Sequence, residues 1–386
     1  MTVLSLFDGM SCGQIALREL KIKIETYYAS EIDKFAIAQT KLNFPETVQI
    51  GDVRNIDARK LGHIDLIIGG SPCQSFSFAG KRAGMATKEK EKIYTLDRYL
   101  ELKKTNFEFE GQSYLFWEYV RILAEVREDN PNVLFMLENV EMGKQWEAVI
   151  NQALGIKGMH VNSALVSAQV RKRIYWTNIR TFQADLFDVP ESAIPQPKDR
   201  GILLKHILDD EVPDRFYLKP ETIEKLLQHK QRNKANGNGF GTKFHQGGKM
   251  TAVTVKDKGM YDLVCVKQRG HDVTDRRIRR LNPSRESGRT QPYQQDRIYD
   301  PGGQAPTLMN GHGGQTINVL VGGDTPIRRL TPAECARLQT IPDWYKWQCS
   351  KTQQYKMLGN GWTIEVIKHI LSFLPNVQTK IEKAMP

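Results

Sequence analysis

The sequence predicts an α/β protein: a mostly parallel sheet with helices on both faces, joined to a second, smaller, irregular β-containing domain. Three observations predict it. Through the first 178 residues, short apolar strands alternate with amphipathic helices, the pattern of a sheet covered on both sides. Near residue 180 the character changes. Prolines recur at 190, 195, 197, 213 and 220, and the stretch GNGFGTKFHQGGK is rich in glycine. Short strand-like pieces, MTAVTV and YDLVCV, follow it. After Pro326 helical periodicity returns. The expected boundaries are 1–178 for a catalytic and cofactor-binding unit, 179–325 for the second domain, 326–375 for a segment returning to the first unit, and 376–386 for a tail.

The elements follow in order. TVLSLF is a strand, DGMS a turn and CGQIALREL a helix with apolar residues at helical spacing. TYYASE is a second strand, followed by the helix IDKFAIAQTKLNF, which stops before Pro45. TVQIGDV and IDLIIGG are the third and fourth strands, SYLFWEYVRILAEVRE a helix, and NVLFMLENV a fifth strand. In such a sheet, ligands bind beyond the carboxyl ends of the strands. Between the fourth strand and the SYLFWEY helix runs the long charged segment 81–112, with helical pattern in TLDRYLELKK. It reads as a mobile lid or binding loop, and its EKEK portion as a solvated surface. Toward the end come the helices TPAECARLQ and, after the turn GNG, WTIEVIKHILSFL.

Composition narrows the class. With 386 residues, 40% hydrophobic and 26% charged, the chain can bury a real core and is not of disordered type. It has no apolar stretch of membrane-spanning length, and MTVLSLFDG lacks the layout of a signal peptide. A cytoplasmic address without membrane association is therefore expected. The five cysteines (12, 73, 265, 335 and 349) are odd in number and widely spaced, which argues against a disulfide framework and structural zinc. The net charge of +11 suggests a polyanionic partner such as nucleic acid, although a merely basic soluble surface would look the same. Within 267–300 nine Lys/Arg face five Asp/Glu, with RRIRR at the centre; this is either a phosphate-contacting surface or a solvated charged face.

Several strand ends carry chemistry. FDGMSCG places a glycine-containing turn between strand and helix, so backbone N–H groups point into the crevice as in nucleotide-binding loops, without the dinucleotide spacing GxGxxG. Glu31 ends the second strand where a carboxylate can accept from ribose hydroxyls, and Asp52 ends the third, where it could receive an amine such as that of adenine. Cys73, in GGSPCQSFS just past the fourth strand, is either a packing residue or a nucleophile; Glu138 ends the fifth and could protonate a ring nitrogen.

Taken together, FDGMSCG, SPCQSFS, LENV, QVRKRIYW, RRLTPAECARLQTIPDW and MLGNGWTIEVI resemble, in order, the motif set of the DNA (cytosine-5)-methyltransferases. The matches cover residues 1 to about 178 and about 326 to 373. DRIYDPGGQAPTLMNGHGG also resembles bacterial members, and LSLFDG and GNGW are similar to the animal de novo enzymes. The resemblance implies a Rossmann-like S-adenosylmethionine-dependent methyltransferase sheet and a target-recognition domain at 179–325. It implies the catalytic set Cys73, Glu138, Arg171 and Arg173, with Cys73 adding to carbon 6 of cytosine and Glu138 donating to nitrogen 3. Arg171 and Arg173, which alternate along an expected strand, would lie near a flipped-out base and its phosphate. The cofactor S-adenosyl-L-methionine would be contacted by Phe7, Asp8, Gly9, Gly13, Glu31, Ile32, Asp52, Val53, Pro72, Asn360 and Trp362. No metal is implied. The partner would be double-stranded DNA, the protein a monomer, and the setting a bacterial or phage-infected cell, where restriction–modification is one role. The chain departs from the family in carrying Ser11 and Cys12 where further glycines are common, and Cys12 reads as a packing residue. Two alternatives stand beside this reading. A tRNA cytosine-5 methyltransferase is opposed by the sizeable recognition-like domain, and a non-catalytic DNA-binding relative by the intact Cys73, Glu138 and arginine motif.

Overall fold

A computed structural model describes residues 1–72, 85–105, 108–185, 188–217, 298–299, 305–306, 318–320, 327–375 and 377. Cys73, the strand-like pieces at 250–266 and the RRIRR stretch lie outside the described residues. The central sheet has seven strands: β1 (Thr2–Leu6), β2 (Thr26–Ser30), β3 (Val48–Gln49), β4 (Leu66–Gly70), β5 (Leu134–Val140), β6 (Met159–Asn162) and β7 (Lys172–Thr177). Their order is β3-β2-β1-β4-β5-β7-β6. All neighbours run parallel except β7, which is antiparallel to both β5 and β6.

Both faces of the sheet are buried because successive side chains point to opposite sides. Val3, Leu66, Ile68 and Met136 face one core, with α1 (Cys12–Glu19) and Ala36 of α2 (Lys34–Asn43). Leu4, Leu6, Ile67, Phe135 and Leu137 face the other. There they meet α4 (Phe116–Asp129), α5 (Lys144–Leu154) and part of α3 (Leu96–Lys104). The C-terminal segment completes the first core: α6 (Pro332–Leu338), α7 (Lys351–Asn360) and α8 (Ile364–Leu371) contribute Leu338, Met357, Ile364 and Ile367 among others. Thr331 and Glu334 cap α6 reciprocally, with Pro332 at its first position. Tyr345 donates from its hydroxyl to the Met10 carbonyl at 2.9 Å, which ties this segment to the turn after β1.

Two expectations change. The third strand covers Val48–Gln49 rather than 47–53, because Gly51 turns the chain at φ +77° and Asp52 then caps a short 3-10 turn by accepting from Arg54 N at 2.9 Å. The described part of the charged segment, 85–105 and 108–112, is not a lid. Met85, Ile93, Tyr99 and Leu102 are buried in the second core, and Ala86–Thr87 pairs with Phe109–Glu110. Glu89–Lys92 is exposed as expected. Beyond residue 178 the described β-structure is short. Ile298–Tyr299, Asn318–Leu320 and Ile327–Arg329 form one small sheet, and Ala305–Pro306 pairs with Gln169–Val170.

A candidate active site at the carboxyl ends of the strands

The turn after β1 is held by an unusual run of backbone conformations. Phe7, Gly9 and Ser11 have φ of 59°, 59° and 65°, in the left-handed region that glycine enters freely and other residues enter at a cost. The Glu31 carboxylate fastens this turn to the end of β2. Its Oε2 accepts from Gly9 N at 2.7 Å, while Oε1 accepts from Ile32 N and Asp33 N at 2.7 and 2.8 Å. Three backbone donors orient the carboxylate and leave lone-pair capacity for further donors. Ile32, beside it, is 66% exposed, an apolar surface at a strand end with nothing covering it among the described residues. Asp52 carries the bidentate Arg54 guanidinium at 3.0 and 2.5 Å, which holds its carboxyl below the usual range. Val53 is buried at the start of the short turn that follows.

Other residues of the expected cofactor set face inward. A Cβ on Gly13 would stand 2.1 Å from Ile68 Cδ1, so this glycine lets α1 pack onto the sheet. Asp8 is buried: its Oδ1 accepts from Ser5 Oγ at 2.6 Å and Tyr27 Oη at 2.8 Å, and no described donor reaches Oδ2. Burial pushes its carboxyl up to about 6. Cys12 is a packing residue in the first core, its thiol pushed up to about 12 by burial.

The other side of the crevice centres on Glu138. On β5 it pairs in register with Gly70 at the end of β4 and with Tyr175 of β7. Both carboxylate oxygens are engaged: Oε1 with Arg173 Nε at 2.9 Å, Oε2 with Trp362 Nε1 at 3.1 Å. A Cβ on Gly70 would come within 2.9 Å of that indole nitrogen and 3.1 Å of Oε2, so only glycine lets the two meet there. Asn139, the next residue of β5, donates from Nδ2 to Ser71 Oγ at 3.0 Å and to the Ser71 carbonyl at 3.3 Å. This fixes the start of the segment whose last described residue is Pro72, immediately before Cys73.

Arg171 lies between Val170 and β7, off the strand that carries Arg173. Its Nη2 donates to the carbonyls of Gly359 and Gly361 at 3.3 and 2.9 Å, which sets the turn bearing the exposed Asn360. Gln339 supports the same turn by donating from Nε2 to the carbonyls of Leu358 and Gly361 at 2.6 and 3.1 Å. Sequence reasoning missed Asn139 and Gln339. The signal for Asn139 was an amide side chain beside a strand-end glutamate; Gln339 offered none beyond its place after a helix. Among the described residues there is no cluster of His, Cys, Asp and Glu able to hold a metal ion, and no helix long and apolar enough to cross a membrane.

A doubly covered sheet with an oriented strand-end carboxylate and exposed apolar residue on one side, and a braced glutamate on the other, defines a nucleotide-cofactor enzyme of the Rossmann-like class. The comparisons make the class particular. The sequence profile of the C-5 cytosine-specific DNA methylases matches residues 1–375, and the chain belongs to that family. It is 28% identical to the type II methyltransferase M.HhaI of Haemophilus parahaemolyticus, over 95% of this chain and 92% of that one. It is 26% identical to the orphan methyltransferase M.SPRI of Bacillus phage SPR, over 99% of each. Among solved structures, Dnmt2 methyltransferase of S. pombe aligns over 97% of this chain and 98% of its own, with TM-score 0.56 at 14% identity. The Entamoeba histolytica methyltransferase EhMeth aligns with TM-score 0.58 at 13% identity over 97% and 98%; both show the shared fold. The protein is a DNA cytosine-5 methyltransferase that uses S-adenosylmethionine as methyl donor.

Proposed function

We propose that Cys73 is the nucleophile, that Glu138 is the acid at the target base, and that Arg173 and Arg171 order the site around them. The observation that carries this reading is the brace on Glu138: an ion pair with Arg173 and an indole bond from Trp362, on the strand beside β4. Three residues beyond Gly70, the partner of Glu138, the chain reaches Cys73.

The chemistry asks for these groups. Carbon 5 of cytosine is a weak nucleophile. Addition of the Cys73 thiolate to carbon 6 turns the ring into an enamine, and Glu138 donates a proton at nitrogen 3 as charge develops there. In this reading Arg173, paired with Glu138, holds its carboxylate toward the base, and Arg171 orders the 359–361 turn through the Gly359 and Gly361 carbonyls. The target must leave the stacked duplex, at a cost of a few kcal/mol.

The residues on the β1–β3 side fit S-adenosylmethionine. The Glu31 carboxylate suits ribose hydroxyls, exposed Ile32 an adenine face, and Asp52 its amine. Phe7, Gly9 and Val53 shape that side, and Pro72 and Asn360 border it at the β4 end and the 359–361 turn. Asp8 and Gly13 support it from beneath through the packing of the β1 turn and α1, while Trp362 reaches across to Glu138. When bound, the cofactor supplies an electrophilic methyl group.

The finer picture is a monomer whose 179–325 domain reads a specific duplex sequence, in the cytoplasm of a bacterial or phage-infected cell, with restriction–modification as one role. Support comes from the basic surplus and from the bacterial and phage sources of the relatives. The test of the core reading is Cys73→Ser. Methyl transfer from tritiated S-adenosylmethionine to duplex DNA should collapse, and the covalent complex with 5-fluorocytosine DNA should vanish. A complex that persists would mean the nucleophile is misassigned. Mapping methylcytosine in the genome of a methylation-free host expressing the protein reads out the target sequence; methylation without a sequence rule would overturn the specificity.

A further inference from the structure

A cluster of charged side chains lies outside the crevice and has no part in the chemistry above. Glu118 of α4 is fully buried, and its carboxylate accepts from Tyr99 Oη, Lys103 Nζ and Arg121 Nε, the last at 2.6 Å. Arg121 also donates to Glu125 Oε1 at 2.5 Å. A buried pair of this kind adds little to stability by itself, because desolvation offsets the attraction. What it does here is bind backbone. Arg121 donates to the carbonyls of Ile56 at 2.8 Å and Val53 at 3.1 Å, Lys103 Nζ to that of Arg54 at 3.1 Å, and Glu125 Oε2 accepts from Ala58 N at 2.9 Å. Four main-chain groups within 53–58 are thus held by side chains of α3 and α4. Residue 53 follows directly on Asp52.

We propose that this cluster is a buttress for the adenine end of the cofactor site, and that α3 of the charged segment supplies Lys103 to it. The inference rests on the reading of Asp52 as the adenine-facing carboxylate. Lys103, Arg121 and Glu125 are positioning residues: they touch neither substrate nor cofactor, and they act by fixing the loop that begins at Asp52. The Lys103 ammonium bridges the buried Glu118 of α4 and the Arg54 carbonyl, joining the charged segment to the loop.

The experiment is equilibrium binding of S-adenosylhomocysteine, and of adenosine alone, to the full-length protein by calorimetry, beside steady-state kinetics. Lys103→Met keeps the stem and removes the ammonium; Glu125→Gln opens the cluster at its other end. Each variant is first checked by thermal melting and assayed below its transition. Both should bind S-adenosylhomocysteine and adenosine about tenfold more weakly, the scale of one lost charged hydrogen bond. KM for the methyl donor should rise with it, while kcat at saturating donor and the affinity for duplex DNA should hold. Lys103→Arg should restore part of the loss. Wild-type adenosine affinity in both folded variants overturns the proposal, as does a loss in kcat or DNA affinity instead. Asp52→Asn separates the underlying reading. If it binds adenosine normally while Lys103→Met does not, the role given to Asp52 fails and the buttress stands. The reverse pattern removes the buttress alone.

Discussion

Two buried carboxylates, at the ends of β1 and β5, are held in opposite ways. Asp8 has neutral partners, Ser5 and Tyr27, both on one oxygen, and no described donor on the other. Glu138 has a guanidinium on one oxygen and an indole N–H on the other. Burial penalises the charged form, and hydrogen bonds from neutral side chains only partly offset it, so the Asp8 carboxyl rises to about 6. A cation at 2.9 Å is a different kind of partner, because it binds the carboxylate and is itself satisfied by it. The same sheet therefore carries one buried carboxyl held by neutral partners alone and one held by a cation.

The largest effect should come from removing the acid. Glu138→Gln keeps the shape and an acceptor for Arg173, and removes the carboxyl group that in the proposed role passes a proton to nitrogen 3. In the proposed role, kcat for DNA methylation falls by about 10²–10⁴-fold, the usual worth of a positioned acid, with the melting temperature little changed. If kcat falls less than a few-fold, the contrast between the two carboxylates has no catalytic meaning.

Next in size is the pH dependence of stability set by Asp8. Its folded value near 6 lies above the ordinary 3.8, so the native state holds the proton more tightly than the unfolded chain does. Stability from this group is therefore fully present below about pH 4 and is lost as pH rises toward about 6, then stays level. A shift of roughly two units corresponds to about 3 kcal/mol. Denaturant unfolding of wild type and Asp8→Asn across pH 4–7 should show the difference between them change by about that amount, with the wild type losing ground as pH rises. Parallel pH profiles would show that the Asp8 carboxyl is not raised in the native protein.

How much of this was legible in the chain follows from which forces are local. Val3, Leu4 and Leu6 of β1, like Ile67 and Ile68 of β4, announce a strand buried on both faces, and the Asp33 and Thr331 caps announce their helices. The third strand was overread because its continuation is cut by a glycine turn and a capping aspartate, Gly51 and Asp52, which apolar pattern does not weigh. The described part of the charged segment departs from the lid expectation for a related reason. Met85, Ile93, Tyr99 and Leu102 are core residues, but their spacing among charges gives no sign of which surface they will cover. Arg171 and Arg173 have the spacing of one strand face, yet pairing breaks between Val170 and Lys172, and Arg171 turns toward the 359–361 carbonyls. Least legible was the contact between Glu138 and Trp362, 224 residues apart, since nothing local links a strand-end glutamate to an indole after the C-terminal turn.

That contact supplies the smallest and sharpest test. Trp362 was assigned to the cofactor side on resemblance, whereas its Nε1 donates to the Glu138 carboxylate through the gap left by Gly70. Trp362→Phe keeps an aromatic ring in the first core and removes only the donor. If the indole serves the carboxylate, kcat should fall by about tenfold, the scale of one hydrogen bond to a charged group. Affinity for S-adenosylhomocysteine, measured directly, should then hold. The opposite result, a weakened cofactor with kcat intact at saturation, would return Trp362 to the cofactor and leave Arg173 as the sole partner that distinguishes Glu138 from Asp8. Because the two readings move different constants, one variant and two measurements decide between them.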